Sequence, residues 1–167
     1  MDMKIMKSEK RFCTCCMEEH EVKTVLVLEQ ATFKNVKVDY EAIYSYCDVA
    51  EELYMDEQQI QENDVRVKDA YRKEQGLLTS SEIYNIRSKY GISQRDFCIL
   101  LGWGGKTITR YEGHQVQDKA HDTILRKIDG DSEWFLSLLS DAKKSLSVET
   151  YQKYLDAATA LYEKNQD

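Results

Sequence analysis

The chain has 167 residues, of which 42% are hydrophobic and 32% are charged, and its formal net charge is −7. That length can bury the core of one medium domain or two small ones, and the composition is typical of a globular protein. No apolar stretch is long enough for a membrane span, and the basic segment Met1 to Arg11 lacks the apolar region of a secretory signal. We therefore expect a cytoplasmic protein whose five cysteines are reduced thiols or metal ligands.

Residues 1–50 predict a small β-rich domain. Apolar and polar residues alternate from Val36 to Tyr46, which is typical of a half-buried strand, and Lys34-Asn35 before this strand suits a hairpin turn. We expect a small antiparallel sheet of two or three strands. Because so small a sheet is barely stable alone, it needs a metal, a covering helix or a partner.

Residues 51–78 are polar and favour a helix, with a sparse apolar stripe and Gly76 as a C-terminal cap, so they predict a helical connector. Residues 131–167 predict two further helices, one around Trp134 and one after Ser147. Their apolar stripes make good dimerisation surfaces.

Residues 79–130 predict a helix-turn-helix domain. Thr79 or Ser80 caps a first helix, Ser93 caps a second, and Gly102 provides the left-handed turn before a short third helix from Gly105. Residues 79–128 carry 8 Lys/Arg against 5 Asp/Glu, whereas residues 1–78 carry 11 against 17 and residues 129–167 carry 4 against 8. Because the local field controls the approach of a polyanion, the negative net charge does not exclude DNA.

The third predicted helix projects its polar residues outward, as a helix in the major groove does. Arg110 or Lys106 can bond guanine edges, and the threonines can contact a thymine methyl group or a phosphate. Gln94 can anchor a phosphate or bond the third helix. The candidate DNA-contacting residues are Ser93, Gln94, Arg95, Gly105, Lys106, Thr107, Thr109, Arg110 and His114.

The stretches Tyr90 to Phe97, Leu100 to Gly104 and Lys106 to Glu112 resemble the XRE/Cro-type repressors, and more narrowly the YgiT/MqsA-like antitoxins. That resemblance implies an N-terminal zinc-binding domain joined to a helix-turn-helix, in a homodimeric repressor that binds its own promoter and often neutralises a toxin. It implies base contacts at Gly105, Lys106 and Arg110, and because glycine offers no side chain they fall on the other two. The alternative is a stand-alone XRE-family regulator of a phage or mobile element.

The expected fold is therefore α+β. A small N-terminal antiparallel sheet, like a degenerate zinc ribbon, precedes an all-α XRE-type helix-turn-helix domain and the C-terminal helices. A single short helix contacts too few base pairs to be specific, so we expect a homodimer on a palindromic operator in double-stranded DNA.

Cys13 and Cys16 have the spacing of a zinc knuckle, for which the resemblance implies a second Cys-x2-Cys about thirty residues further on. Cys47 begins that second pair, but Ala50 occupies the position of its other cysteine. Either Cys15 or His20 could supply the fourth ligand. Because one ligand is missing, we favour a metal-free sheet over a structural zinc site, and we expect a chelator to leave the melting temperature nearly unchanged.

No sequence motif of an enzyme stands out. Gly104-Gly105-Lys106-Thr107 superficially resembles the end of a P-loop, but the upstream glycine and strand are absent. The three histidines are scattered, and no Ser-His-Asp arrangement or paired-carboxylate motif is found. We therefore expect a binding protein that is not an enzyme.

Overall fold

The computed structural model describes residues 2–167 and shows an antiparallel sheet followed by helices, which confirms the α+β expectation. Backbone contacts divide the chain into two compact units, the first ending at Gln75 and the second covering Gly76–Asp167. The sheet and the first helix make up the first unit. Within the described residues, no helix combines the length and apolar character that crossing a bilayer requires.

The sheet has four strands in the order β1-β2-β3-β4, each antiparallel to its neighbour. These are β1 (Met3–Cys13), β2 (Glu18–Phe33), β3 (Val36–Cys47) and β4 (Glu52–Tyr54). Lys34 and Asn35 form the hairpin turn between β2 and β3 with φ of 47° and 64°, as a tight turn of this kind requires. The sequence predicted fewer strands because β1 is a mostly exposed edge strand whose charged residues hide any alternation.

Strand β3 follows the predicted alternation only in its first half. Val38 and Ala42 are buried on the predicted face, but Ser45 and Cys47 on the opposite face are fully buried as well. Ser45 exchanges hydrogen bonds with the buried side chain of Gln59, and Cys47 belongs to a cysteine cluster. The second half of β3 is therefore covered on both faces.

Helix α1 (Glu57–Glu74) packs along β3. Asp56 and Gln59 cap its start reciprocally, and the Asn63 amide accepts from the Ile43 N–H at 2.7 Å and donates to the Ile43 carbonyl at 2.9 Å. Asn63 thus pairs with the strand backbone as another strand would. The segment 51–78, expected as a helical connector, contains β4 and α1, and its residues up to Gln75 belong to the first unit.

The second unit consists of helices α2 to α7 and one short 3-10 turn. Their bounds are α2 (Ser80–Lys89), α3 (Gln94–Leu101), α4 (Thr107–Tyr111), α5 (Lys119–Gly130), α6 (Ser132–Asp141) and α7 (Val148–Gln166). Thr79 and Ser93 cap α2 and α3 as predicted. One apolar core joins residues from all six helices, with Tyr90 stacked on Phe135 at 3.7 Å between ring centroids. The predicted segments 79–130 and 131–167 both lie in this unit.

Candidate metal centre and candidate nucleic-acid interface

Four possible metal ligands meet at one end of the sheet. The Sγ atoms of Cys13, Cys16 and Cys47 and a ring nitrogen of His20 all lie within 4.8 Å of one another. They come from the end of β1, the β1–β2 turn, the start of β2 and the end of β3, which adjacent antiparallel strands bring together. Thiolates bound to a tetrahedral zinc ion lie ~3.8 Å apart, so small side-chain adjustments would let this group close around one ion.

His20 has the orientation of a metal-binding imidazole. Its Nδ1 lies 2.7 Å from the carbonyl oxygen of Glu21, which fixes the proton on Nδ1. In the neutral imidazole, Nε2 therefore carries the lone pair that could bind a metal, and this atom lies 3.6 Å from the Cys47 Sγ. A backbone carbonyl that holds the second ring nitrogen in this way is the usual support of a histidine ligand.

Cys15 lies beside the four-residue cluster but not in it. Its Sγ lies 3.7 Å from the Glu52 carboxylate. Burial and the nearby Cys47 and Glu52 charges raise the pKa of the Cys15 thiol to about 11. Of the two candidates for the fourth ligand, the fold brings His20 into the group with Cys13, Cys16 and Cys47.

The Cys13 sulfur ionises more readily than an ordinary thiol. Burial acts to raise its pKa, but the Tyr54 hydroxyl, the backbone N–H groups of Cys16 and Cys15, and the His20 ring together lower that pKa to about 6. Because a thiolate is the form that binds metal, the surroundings of Cys13 prepare it as a ligand.

Ala50 explains why the sequence favoured a metal-free sheet. It carries no ligand, yet its backbone N–H donates to the Cys47 Sγ at 3.3 Å, so residues 47–50 still turn around that sulfur. The missing cysteine is offset by His20, which lies far away in sequence but adjacent in the sheet. The structure thus removes the sequence-based reason for preferring a metal-free domain, and the four residues can hold a metal ion.

The second candidate site is the surface of α3 and α4 in the other unit. Gly102, with φ of 69°, ends α3, and a short loop leads into α4. Of the nine predicted DNA-contacting residues, eight lie between Ser93 and Arg110, where six are exposed and two are half-buried. The ninth, His114, is exposed just after α4. The exposed six are Ser93, Arg95, Gly105, Lys106, Thr109 and Arg110, and the half-buried two are Gln94 and Thr107.

The Arg87–Glu112 ion pair, which the sequence analysis missed, holds this surface together. The Arg87 guanidinium donates two bonds of 2.8 Å to the Glu112 carboxylate and a third, of 2.9 Å, to the Ile92 carbonyl. The two side chains are only 14% and 6% exposed. Residues 25 apart with opposite charges give no recognisable sequence pattern, so only the fold reveals the pair.

Gln94 connects the same ion pair to the outer face of α4. Its amide nitrogen donates to Glu112 at 3.3 Å, and its amide oxygen accepts from the Thr109 hydroxyl at 2.9 Å. Of the two roles considered for Gln94, the structure shows the bond to the third predicted helix, α4. The relative placement of α3 and α4 is thereby fixed by a continuous polar network.

Arg95, Lys106 and Arg110 differ from several neighbouring cations. Arg87 and Arg126 each pair with a carboxylate in the described residues, whereas none of these three has one within 4 Å there. Exposed cations without a carboxylate partner are available to an external anion.

His121 and Trp103 form an aromatic contact next to α4. Their rings stack at 4.0 Å, and the His121 Nδ1 lies 2.7 Å from the Tyr111 hydroxyl. The sequence analysis treats His121 as one of three scattered histidines, and the structure gives it this packing role.

Comparison with protein-family models finds no match to this chain, and comparison with curated proteins finds none either. The geometry of the two candidate sites therefore carries the functional conclusion.

Proposed function

We propose that this protein is a sequence-specific DNA-binding repressor in which α3 and α4 form an XRE/Cro-type helix-turn-helix. The observation that carries the proposal is the set of three exposed cations at that helix pair, Arg95, Lys106 and Arg110, which have no carboxylate within 4 Å among the described residues. The Arg87–Glu112 network supports it, because a base-contacting helix must be held rigidly to discriminate between sequences.

In this proposal α4 lies in the major groove. Arg110 bonds the O6 and N7 atoms of a guanine, and Lys106 contacts a second base edge or a phosphate. Thr109, already oriented by Gln94, faces a thymine methyl group or a phosphate oxygen. Arg95 and His114, exposed at the two ends of the segment, contact the DNA backbone and set the register.

A homodimer on a palindromic operator follows from the size of α4. Its helix spans five residues, too few to specify an operator alone. Two copies related by a two-fold axis double the contacts, with half-site centres ~34 Å apart. A repressor of this kind acts by occupying its promoter.

The proposal includes a structural zinc ion in the first unit, bound by Cys13, Cys16, His20 and Cys47. Four protein donors complete a tetrahedral site, which is the composition of structural rather than catalytic zinc. The ion would join the ends of β1, β2 and β3 where the sheet has only a small apolar cluster.

We also propose an antitoxin role, in which the first unit binds a basic toxin. The support is charge, since the segment up to residue 78 carries 17 acidic against 11 basic residues. An acidic surface accelerates association with a basic partner and disfavours DNA. Co-purification of the chain with the product of an adjacent gene tests this role, and a chain that never retains that product contradicts it.

The DNA-binding function is tested by selection of duplexes from a random-sequence library with the purified protein. We expect enrichment of a two-fold symmetric sequence, and tenfold or weaker binding of the selected duplex by Arg110→Ala. Lys153→Ala, an exposed cation on α7, is the matched control and should bind as the wild type does. Failure to enrich any sequence, or equal binding by Arg110→Ala, would contradict the proposal.

A further inference from the structure

Tyr154 of the C-terminal helix α7 reaches the first turn of α3. Its side chain is almost fully buried, at 4% exposure of the residue. The hydroxyl donates to the Asp96 Oδ2 at 2.5 Å and accepts from the Ser93 N–H at 3.4 Å. Tyr154 lies about sixty positions further along the sequence and bonds both Ser93, which caps α3, and Asp96 in its first turn.

This turn belongs to the surface assigned to DNA. Ser93 caps α3 by accepting from the Asp96 N–H at 3.1 Å, and the two residues between them, Gln94 and Arg95, are predicted DNA contacts. A freely rotating carboxylate here would repel an approaching phosphate and could neutralise the neighbouring Arg95. The Tyr154 hydroxyl restricts the Asp96 side chain to a position against α7.

We propose that Tyr154 is a positioning residue for DNA binding, which keeps the Asp96 carboxylate away from the phosphate backbone and keeps Arg95 available to it. This inference rests on the proposed function. It assigns to α7, where no DNA-contacting residue is expected, a direct influence on the DNA-facing end of α3.

The test compares four full-length proteins: wild type, Tyr154→Phe, Asp96→Asn and the double variant. Phenylalanine keeps the buried ring and removes only the hydroxyl, and asparagine keeps a hydrogen-bond acceptor for Tyr154 while removing the charge. Each is titrated with the duplex selected on the wild type and with an unrelated duplex of equal length. Urea unfolding of each variant is measured in parallel.

We expect Tyr154→Phe to weaken binding about three- to tenfold, because the released Asp96 carboxylate can oppose DNA by no more than the free energy of the hydrogen bond that restrained it. Because phosphates are alike in every sequence, both duplexes should be weakened equally. In the double variant, affinity should return to within about twofold of Asp96→Asn, since no misplaced charge remains. A merely structural tyrosine predicts no such rescue.

Two results would overturn the inference: unchanged affinity in Tyr154→Phe, or a double variant that binds as weakly as Tyr154→Phe. Arg110→Ala, titrated alongside, separates this failure from failure of the proposed function. If Arg110→Ala binds the selected duplex more weakly and Tyr154→Phe binds it as the wild type does, the proposed function is supported and the positioning role of Tyr154 is contradicted. If Arg110→Ala binds as the wild type does, or if the wild type binds neither duplex, the proposed function and the positioning role are both contradicted.

Discussion

Replacing His20 by alanine should weaken zinc binding by a predictable amount. Structural zinc sites of four ligands contribute about 10–16 kcal/mol, so one ligand accounts for about 2.5–4 kcal/mol, or roughly 100- to 1000-fold in affinity. The His20 ring is already oriented by the Glu21 carbonyl, so little of its contribution is lost to ordering. We expect the loss of zinc affinity in His20→Ala to lie within this range.

The assay is competition between the protein and a chromophoric chelator for zinc, with cobalt spectra as a count of sulfur ligands. Cys15→Ala is the matched control, because its sulfur faces Glu52 and should leave affinity unchanged. The combination His20→Ala with Ala50→Cys should recover much of the loss, because residue 50 already lies next to the Cys47 sulfur through its backbone N–H. Its cobalt spectrum should gain one thiolate.

Two outcomes would refute the reasoning. Wild-type protein that binds no zinc at all would restore the metal-free sheet that the sequence favoured. Loss of affinity in Cys15→Ala, together with full affinity in His20→Ala, would show that the wrong fourth ligand was assigned.

Arg110→Ala should keep the unfolding midpoint of the wild type while losing tenfold or more in operator affinity, as gel mobility shifts can show; equal affinity would refute its role. Glu112→Ala should destabilise the second unit by about 2–4 kcal/mol in urea unfolding, because it leaves the largely buried Arg87 unpaired. Lys89→Ala, which breaks an exposed pair with Asp129, should cost under about 1 kcal/mol of stability. A similar loss of stability in Glu112→Ala and Lys89→Ala would contradict the stabilising role of the Arg87–Glu112 pair. Analytical ultracentrifugation with DNA should find two chains per selected duplex, and one chain would contradict the dimer.

The helices of the second unit could be predicted because their signals are local. A capping residue, a helical apolar stripe and a glycine at the turn lie within one segment, as with Ser93 and Gly102 around α3. The predicted third helix began at Gly105, but α4 begins at Thr107 after a loop. That difference arises because apolar spacing gives a helix but not its first residue.

The first unit was harder to predict because its determinants are not local. Strand β1 is recognisable only through its pairing with β2, and the burial of Ser45 depends on Gln59 of α1. The fourth candidate ligand is also determined by residues that are distant in sequence. His20 does not fit the expected Cys-x2-Cys spacing, and it joins the cluster because β2 pairs with β1 on one side and with β3 on the other, which brings it near Cys13 and Cys47.

The candidate metal centre and the α3–α4 surface differ in how the surrounding core holds them in place. At the cysteine cluster, three strand ends meet around a small apolar group in which Cys13, Val22 and Cys47 are buried and Cys15, Cys16 and Tyr54 are partly buried. A bound ion would add to this small core. Such an ion would have all four positions filled by protein and none open to a substrate. At the α3–α4 surface, by contrast, the core beneath is large and the polar network above it is complete, so its three free cations can be exchanged singly without loss of fold. In the proposed repressor, changes of DNA specificity should therefore be reachable through Lys106 and Arg110, whereas changes at the cluster should alter stability first.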